Sequence, residues 1–254
     1  MYLKHTFIFY IRTKWYKVKY LLYRYLIKPT EPIRSIYGIL LSPNLKDKTF
    51  KLYYKGSYGR FFSSLVMQYS QKAVFLDIGA NQGLYSILAG KNKNFEHIVS
   101  FEPSKKTAAL LKKNLEINTI KDYQIVEAAI SNHNGGLKLM VDENHSGKST
   151  LREVENTTGD YETVSTIDHT VINSIVPKHT NYVVKIDVEG HEEIVINELI
   201  KSSFFEKVRL LFCEVDEKWI QSERLIVTLA TAGLEVVEKI GKDPLHYDML
   251  FKRV

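Results

Sequence analysis

Among 254 residues there is a single cysteine, Cys213. No intramolecular disulfide can form, so a reducing compartment and a cytosolic location are expected. Long hydrophobic runs are missing too: the longest early one, Phe7 to Ile11, is too short for a signal-peptide core, and Arg12, Lys14, Lys17 and Lys19 interrupt any span of bilayer length. Acidic residues are absent up to Lys28, whereas Lys4, Arg12, Lys14, Lys17, Lys19, Arg24 and Lys28 are all basic. Since the net charge is +6, the chain beyond Lys28 carries about −1. A nearly neutral body excludes a nucleic-acid footprint over the whole surface, and no nucleic-acid partner is expected.

The basic segment reads as an amphipathic helix. Three- and four-residue spacings put Lys14, Lys17, Arg24 and Lys28 near one face and Trp15, Val18, Leu22 and Tyr25 on the adjoining one. Such a helix either attaches peripherally to an anionic membrane surface or packs on the domain with its lysines snorkelling. Pro29 and Pro32 end it, and residues 1–45 are expected to form an extension or cap on a main domain of residues 46–254. Tyr53, Tyr54, Tyr58 and Arg60 belong either to the mouth of a site or to the packing of the cap.

The densest signal is AVFLDIGANQG, Ala73 to Gly83. Val74, Phe75 and Leu76 suit a strand covered on both faces of a parallel sheet, and Asp77, Gly79, Asn81 and Gly83 follow where such sheets bind ligands. No Gly-Lys-Ser/Thr follows the strand, which excludes a P-loop. HIVSFEP, His97 to Pro103, is a second strand ending in Glu102, placed to take ribose hydroxyls. Ser104 is a candidate helix cap, Tyr123 to Ser131 a third strand, and Leu137 to Val141 part of a hairpin. HSGKST, His145 to Thr150, is a polar glycine loop that either is solvated or folds over the ligand.

NYVVKIDVEGHE, Asn181 to Glu192, repeats the strand-then-acid pattern with Lys185, Asp187, Glu189 and His191. Val208 to Glu217 is a further strand ending in Glu214 and Asp216, and Trp219 to Ala232 a helix. The connection from Gly241 to Tyr247 is too short for a crossover helix, so Leu234 to Ile240 and Asp248 to Val254 should pair antiparallel. The expected fold is α/β and doubly wound.

A dinucleotide turn needs a second glycine where this chain has Asn81, and a ligand without a pyrophosphate tolerates a side chain there. S-adenosylmethionine is such a ligand. Its ribose would meet Glu102, its adenine the region of Glu127, Ala128 and Ala129, and its methionine ammonium the neighbourhood of Asp77.

In their order DIGANQG, VSFEP, the AAIS segment, GKST, STID (Ser165 to Asp168) and KIDVEGHE, these motifs resemble the FkbM-type S-adenosylmethionine-dependent methyltransferases, over roughly Ala73 to Val215. The resemblance implies a class I methyltransferase fold, a Rossmann-like seven-stranded sheet with an antiparallel last strand. It also implies methyl transfer, usually to a hydroxyl of a sugar, a glycan or a natural product; the basic amphipathic segment adds a lipid-linked sugar as a candidate acceptor. Carried over by position, Asp77, Gly79, Asn81 and Gly83 would hold the methionine end, Glu102 the ribose, and Ala128 and Ala129 the adenine. Asp187 and Glu189 would lie beside the methyl group, with Asp187, Glu189 or His191 as catalytic base and Glu214 in reserve. A divalent metal on Asp187, Glu189 and Glu214 is a further option with no diagnostic spacing. Two rival readings are a non-catalytic nucleotide-binding module in glycan assembly and an NAD-dependent oxidoreductase.

Overall fold

Successive residues of a strand point to opposite faces of its sheet, and the strand through Ala73 to Ile78 shows what that requires here. Val74, Leu76 and Ile78 enter one apolar cluster while Ala73 and Phe75 enter another, so both faces are covered. A computed structural model describes residues 2–151 and 160–254, with side chains from Arg12 onward.

The chain begins with α1 (Tyr2–Leu22), which runs into a π-helical stretch, Tyr23–Ile27. Short strands β1 (Ile33–Arg34) and β2 (Leu40–Leu41) pair as a hairpin, followed by α2 (Lys48–Lys55) and α3 (Arg60–Gln68). The first half of the main sheet alternates β3 (Ala73–Ile78), α4 (Leu84–Lys91), β4 (Phe95–Phe101), α5 (Lys105–Ile117) and β5 (Tyr123–Val126). A side sheet is built from β6 (Ala129–Ile130), β7 (Gly135–Val141) and β8 (Asp160–Ile167). The second half comprises α6 (His169–Ile175), β9 (Tyr182–Ile186), α7 (Glu192–Ile200), β10 (Val208–Asp216), α8 (Ser222–Thr231), β11 (Leu234–Ile240) and β12 (His246–Arg253).

The main sheet has seven strands in the order β11-β12-β10-β9-β3-β4-β5. The pairs from β10 to β5 are parallel, and β12 lies antiparallel between β10 and β11. The doubly wound α/β expectation therefore holds, including the antiparallel end. From β3 the chain winds outward through β4 and β5, then returns to β9 on the other side of β3. That reversal opens a crevice at the carboxyl ends of β3 and β9, the place where open α/β sheets take ligands.

Three local expectations are corrected. The strand expected from Tyr123 to Ser131 is two: β5 stays in the main sheet, while β6 pairs parallel with β8 in the side sheet. The chain changes sheets at Glu127 and Ala128, because the two-residue β6 finds its ladder partner on β8. Ser104 stands at the cap position of α5 without a side-chain cap bond; Glu102 Oε1 accepts from the Ser104 N–H instead, at 3.1 Å. The last helix starts at Ser222, since Trp219 and Ile220 close a turn by donating their N–H groups to the Asp216 carbonyl.

The stretch from Tyr20 to Leu41 packs into the main domain's own core. Tyr20, Ile33, Ile39 and Leu41 share a cluster with Phe50, Tyr54, Phe62 and Phe75. Asn114 and Asn118 of α5 accept from the N–H groups of Ser42 and Leu40 at 2.8 and 2.9 Å. Helix α1 is held by tyrosines: the rings of Tyr16, Tyr20 and Tyr23 surround Tyr54 at 5.2, 6.1 and 6.1 Å. The stripe of Trp15, Val18, Leu22 and Tyr25 points the other way and stays exposed. Among the described residues, no helix is long and apolar enough to cross a membrane.

Candidate active site

Gly79 and Asp187 make the floor of the crevice by close backbone approach. Gly79 has φ +74°, and a Cβ on it would lie 1.9 Å from the Asp187 carbonyl oxygen. Only glycine fits there, because the left-handed backbone is strained for any side chain and the space is already filled. Gly83, with φ +89°, starts α4; a Cβ there would meet Leu111 Cδ1 at 2.4 Å.

Beneath this floor runs a buried ionic row that the strand register dictates. Asp77 and Lys185 are paired neighbours on β3 and β9. Lys185 Nζ is 3.5 Å from Asp77 Oδ1 and 3.5 Å from Asp187 Oδ2, and it donates to the Gly79 carbonyl at 2.6 Å. Burial works against the Lys185 charge, but Asp187, Asp77 and Glu214 outweigh it and raise the ammonium pKa. Asp77 also accepts from the Ser86 N–H at 3.0 Å and the Ser86 hydroxyl at 2.5 Å, which fixes the first turn of α4. It is fully buried and does not reach the cavity wall, nor does Gly83. Both shape the turn from behind.

Gly79, Asn81, Glu102, Ala128, Ala129, Asp187, Glu189 and His191 do line one cavity of about 220 Å³. Glu102, at the end of β4, accepts from the Asn81 N–H at 2.9 Å. Burial lifts its carboxyl to about 7 against the pull of the Ser104 and Asn81 N–H groups. Asn81 has φ +49°, which an asparagine tolerates far better than most residues. Ala128 and Ala129, where the chain leaves the main sheet, join Ile130 and Leu139 in an apolar wall.

The opposite wall is acidic. One carboxylate oxygen each from Asp187, Glu189 and Glu214 lie within 4.8 Å of one another. Burial favours the neutral form of Asp187, yet the Lys185 charge and hydrogen bonds from Glu214, Tyr58 and Lys185 hold its pKa below the usual range. The Tyr58 hydroxyl donates to Asp187 Oδ2 at 2.7 Å. Glu214 is pushed far up, first by burial and then by Asp187 and Glu189, and His246 Nε2 stands 2.9 Å from its Oε1. Glu189 is lifted to about 8 by burial and by the charges of Asp187 and Glu192. Its backbone is left-handed at φ +51°, an uncommon and strained state for glutamate. The Glu192 carboxylate holds this turn by accepting from the N–H groups of Val188 and Gly190 at 3.2 and 3.1 Å. His191 Nε2 contacts the Ser131 hydroxyl at 3.3 Å.

The HSGKST loop does come over the site. The Ser146 N–H donates to Asp47 Oδ2 at 2.8 Å and its hydroxyl to Asn81 Oδ1 at 2.9 Å, while the Thr150 hydroxyl donates to the Glu189 carbonyl at 2.7 Å. Asp47, unassigned from sequence, also caps α2 through the Phe50 N–H at 2.7 Å and accepts from Gln82 Nε2 at 2.8 Å. Its one sequence signal was an acidic residue just ahead of a helix. His246 was missed as well: it lines the cavity because β12 pairs with β10, which also sets Asp248 opposite Glu214.

Comparisons with known proteins complete the description. A search of the curated proteins finds no match. Similar solved structures include a ribosomal protein L11 methylase from Lactobacillus delbrueckii subsp. bulgaricus, at 12% identity and TM-score 0.45, covering 75% of this chain and 76% of that one. Another is TrmK of M. capricolum in complex with S-adenosylhomocysteine, at 11% identity and TM-score 0.46, covering 77% of this chain and 69% of that one. The model of the methyltransferase FkbM domain matches residues 77–249, from the acid of the glycine turn to the middle of the last strand, and the chain belongs to that family of methyltransferases.

Proposed function

We propose that the chain transfers a methyl group from S-adenosylmethionine to a hydroxyl oxygen of a sugar, glycan or natural-product acceptor. The observation that carries this reading is one cavity with a nucleoside-type end and a proton-accepting end. At the first, Glu102 presents a carboxylate suited to a ribose diol, beside a glycine turn and the apolar wall of Ala128 and Ala129. At the second, Glu189, Asp187 and His191 face the same space. The donor set fits the cofactor, whose sulfonium supplies an electrophilic methyl group when bound. Membership in the FkbM methyltransferase family supports the transfer itself.

An alcohol must lose its proton as its oxygen takes up the methyl group, so the protein has to hold the acceptor in line and receive that proton. Glu189 is the best placed of the carboxylates expected here. Its pKa of about 8 sits near working pH, whereas Asp187 is held ionised by Lys185 and already accepts from Tyr58. In the balanced step the acceptor O–H proton passes to Glu189, the O–CH₃ bond forms and the S–CH₃ bond breaks, leaving a neutral thioether. Asp187 and Tyr58 position the acceptor, and Lys185 balances the charge below.

The three carboxylates are also of the kind that hard cations bind. Lys185, at 3.5 Å from Asp187, already offsets part of their charge, so we expect catalysis without a divalent ion. Assay after dialysis against a chelator should show turnover unchanged; a loss restored by added Mg²⁺ or Ca²⁺ would contradict this. The function is tested by a tritiated-methyl transfer screen over oligosaccharides, lipid-linked sugars and hydroxylated natural products. Label stable to alkali in an ether linkage supports it, and label confined to amines or nucleic acid overturns it.

A further inference from the structure

The two sides of α1 have opposite fates. Thr13, Tyr16, Tyr20 and Tyr23 recur at three- and four-residue spacing and face the domain, with Thr13 and Tyr20 buried. Offset from them by two residues, hence on the far side of the helix, run Trp15, Val18, Leu22 and Tyr25. These are 63%, 52%, 41% and 64% exposed, and Leu21 and Leu26 beside them are 54% and 74% exposed. A continuous apolar stripe of this size facing solvent is uncommon, whereas single exposed apolar residues are ordinary.

Cations border the stripe. Lys14, Lys17 and Lys28 flank it on one side, Arg12 and Lys19 on the other, and no acidic residue occurs before Glu31. Lys19 and Arg24 lie over the rings of Tyr23 and Tyr25 at 5.4 and 5.6 Å, which keeps both stems close to the helix. An apolar ridge between cationic margins matches the interface of an anionic bilayer, where apolar side chains enter the headgroup boundary and lysines meet lipid phosphates. A protein groove of ordinary composition offers no such two-sided negative rim.

We propose that the outer face of α1 and the π-helical turn that continues it, from Arg12 to Lys28, docks the protein on the surface of an anionic lipid bilayer, lying in the interface and not crossing it. The helix is firmly coupled to the active site. Tyr16, Tyr20 and Tyr23 enclose Tyr54, and the preceding residue of α2, Tyr53, lines the cavity. A docked α1 thus carries the cavity with it to the membrane surface.

The test uses the full chain and unilamellar vesicles of phosphatidylcholine with or without phosphatidylglycerol. Cosedimentation should show binding to the anionic vesicles at least about tenfold stronger than to phosphatidylcholine alone, and weakened by salt. In a Trp219→Phe background, emission from Trp15 should shift to the blue on binding. The triple variant Trp15→Ser, Leu22→Ser, Tyr25→Ser alters only solvent-facing side chains; it should keep the wild-type melting temperature and lose vesicle binding by about tenfold or more. Equal partition of wild type and triple variant overturns the proposal. So does a wild-type dimer, seen by light scattering, that the triple substitution dissociates while vesicles bind neither form, since a second copy would then be the occupant.

Discussion

Replacing Gly79 by alanine should collapse the floor of the active site. The new methyl carbon would be placed 1.9 Å from the Asp187 carbonyl oxygen, and the atom to be moved is backbone held between two central strands. Positive φ at a non-glycine residue costs roughly 1–2 kcal/mol, and forcing β3 and β9 apart adds about 1–3 kcal/mol. Gly38→Ala separates the two contributions: its φ is +81°, but nothing lies within 4 Å of the added carbon. Chemical denaturation should therefore rank Gly79→Ala well below Gly38→Ala. Any folded Gly79→Ala protein should also fail to bind cofactor, because Asp187 and Lys185 move with the turn. Equal stability of the two variants would show that the close approach of β3 and β9 is not structurally required.

Glu189→Gln should lower kcat by roughly 10² to 10⁴ while leaving cofactor affinity unchanged, since the amide keeps the size of the side chain but accepts no proton. The pH profile gives a second reading of the same group. With a folded-state pKa of about 8, Glu189 is protonated and unable to act as base at lower pH. Log kcat/KM should therefore rise with a slope of about one up to about pH 8 and level off above it. The variant should lack that limb. A kcat within tenfold of wild type, or a rising limb that survives the substitution, would move the base to Asp187 or His191. The left-handed backbone of Glu189 adds weight to its role, because glycine would hold φ +51° without strain and the chain keeps glutamate.

The parts of this molecule that its sequence reveals are those whose chemistry is local. Val74, Phe75 and Leu76 announce a buried strand by composition, and Gly79, Asn81 and Gly83 announce the turn after it by spacing. Glu102, Ala128, Ala129, Asp187, Glu189 and His191 were likewise found from strand ends, and they share one cavity. What stayed hidden depends on pairing at a distance. Asp77 is legible as the acid of the glycine turn, but its register opposite Lys185, which pairs it with a buried ammonium, is not. His246 has nothing in its neighbourhood to mark it; only the antiparallel insertion of β12 beside β10 brings it to Glu214. Asp47 is the same case, unassigned from sequence and a junction for α2, Gln82 and Ser146 once the chain is folded. Helix α1 shows what pattern alone leaves open: its apolar stripe is legible, but which face meets the domain is set by the tyrosines on the other side.

The central claim, that this cavity is a methyl-donor site with Glu102 at its ribose end, is tested most directly by calorimetric titration of the wild-type protein and Glu102→Gln with S-adenosylmethionine, S-adenosylhomocysteine and NAD. One-to-one binding of both adenosyl ligands, weakened about tenfold or more in a variant that still folds, and no binding of NAD are predicted. Absence of heat with either adenosyl ligand, saturable NAD binding, or equal affinities in the two proteins would contradict it.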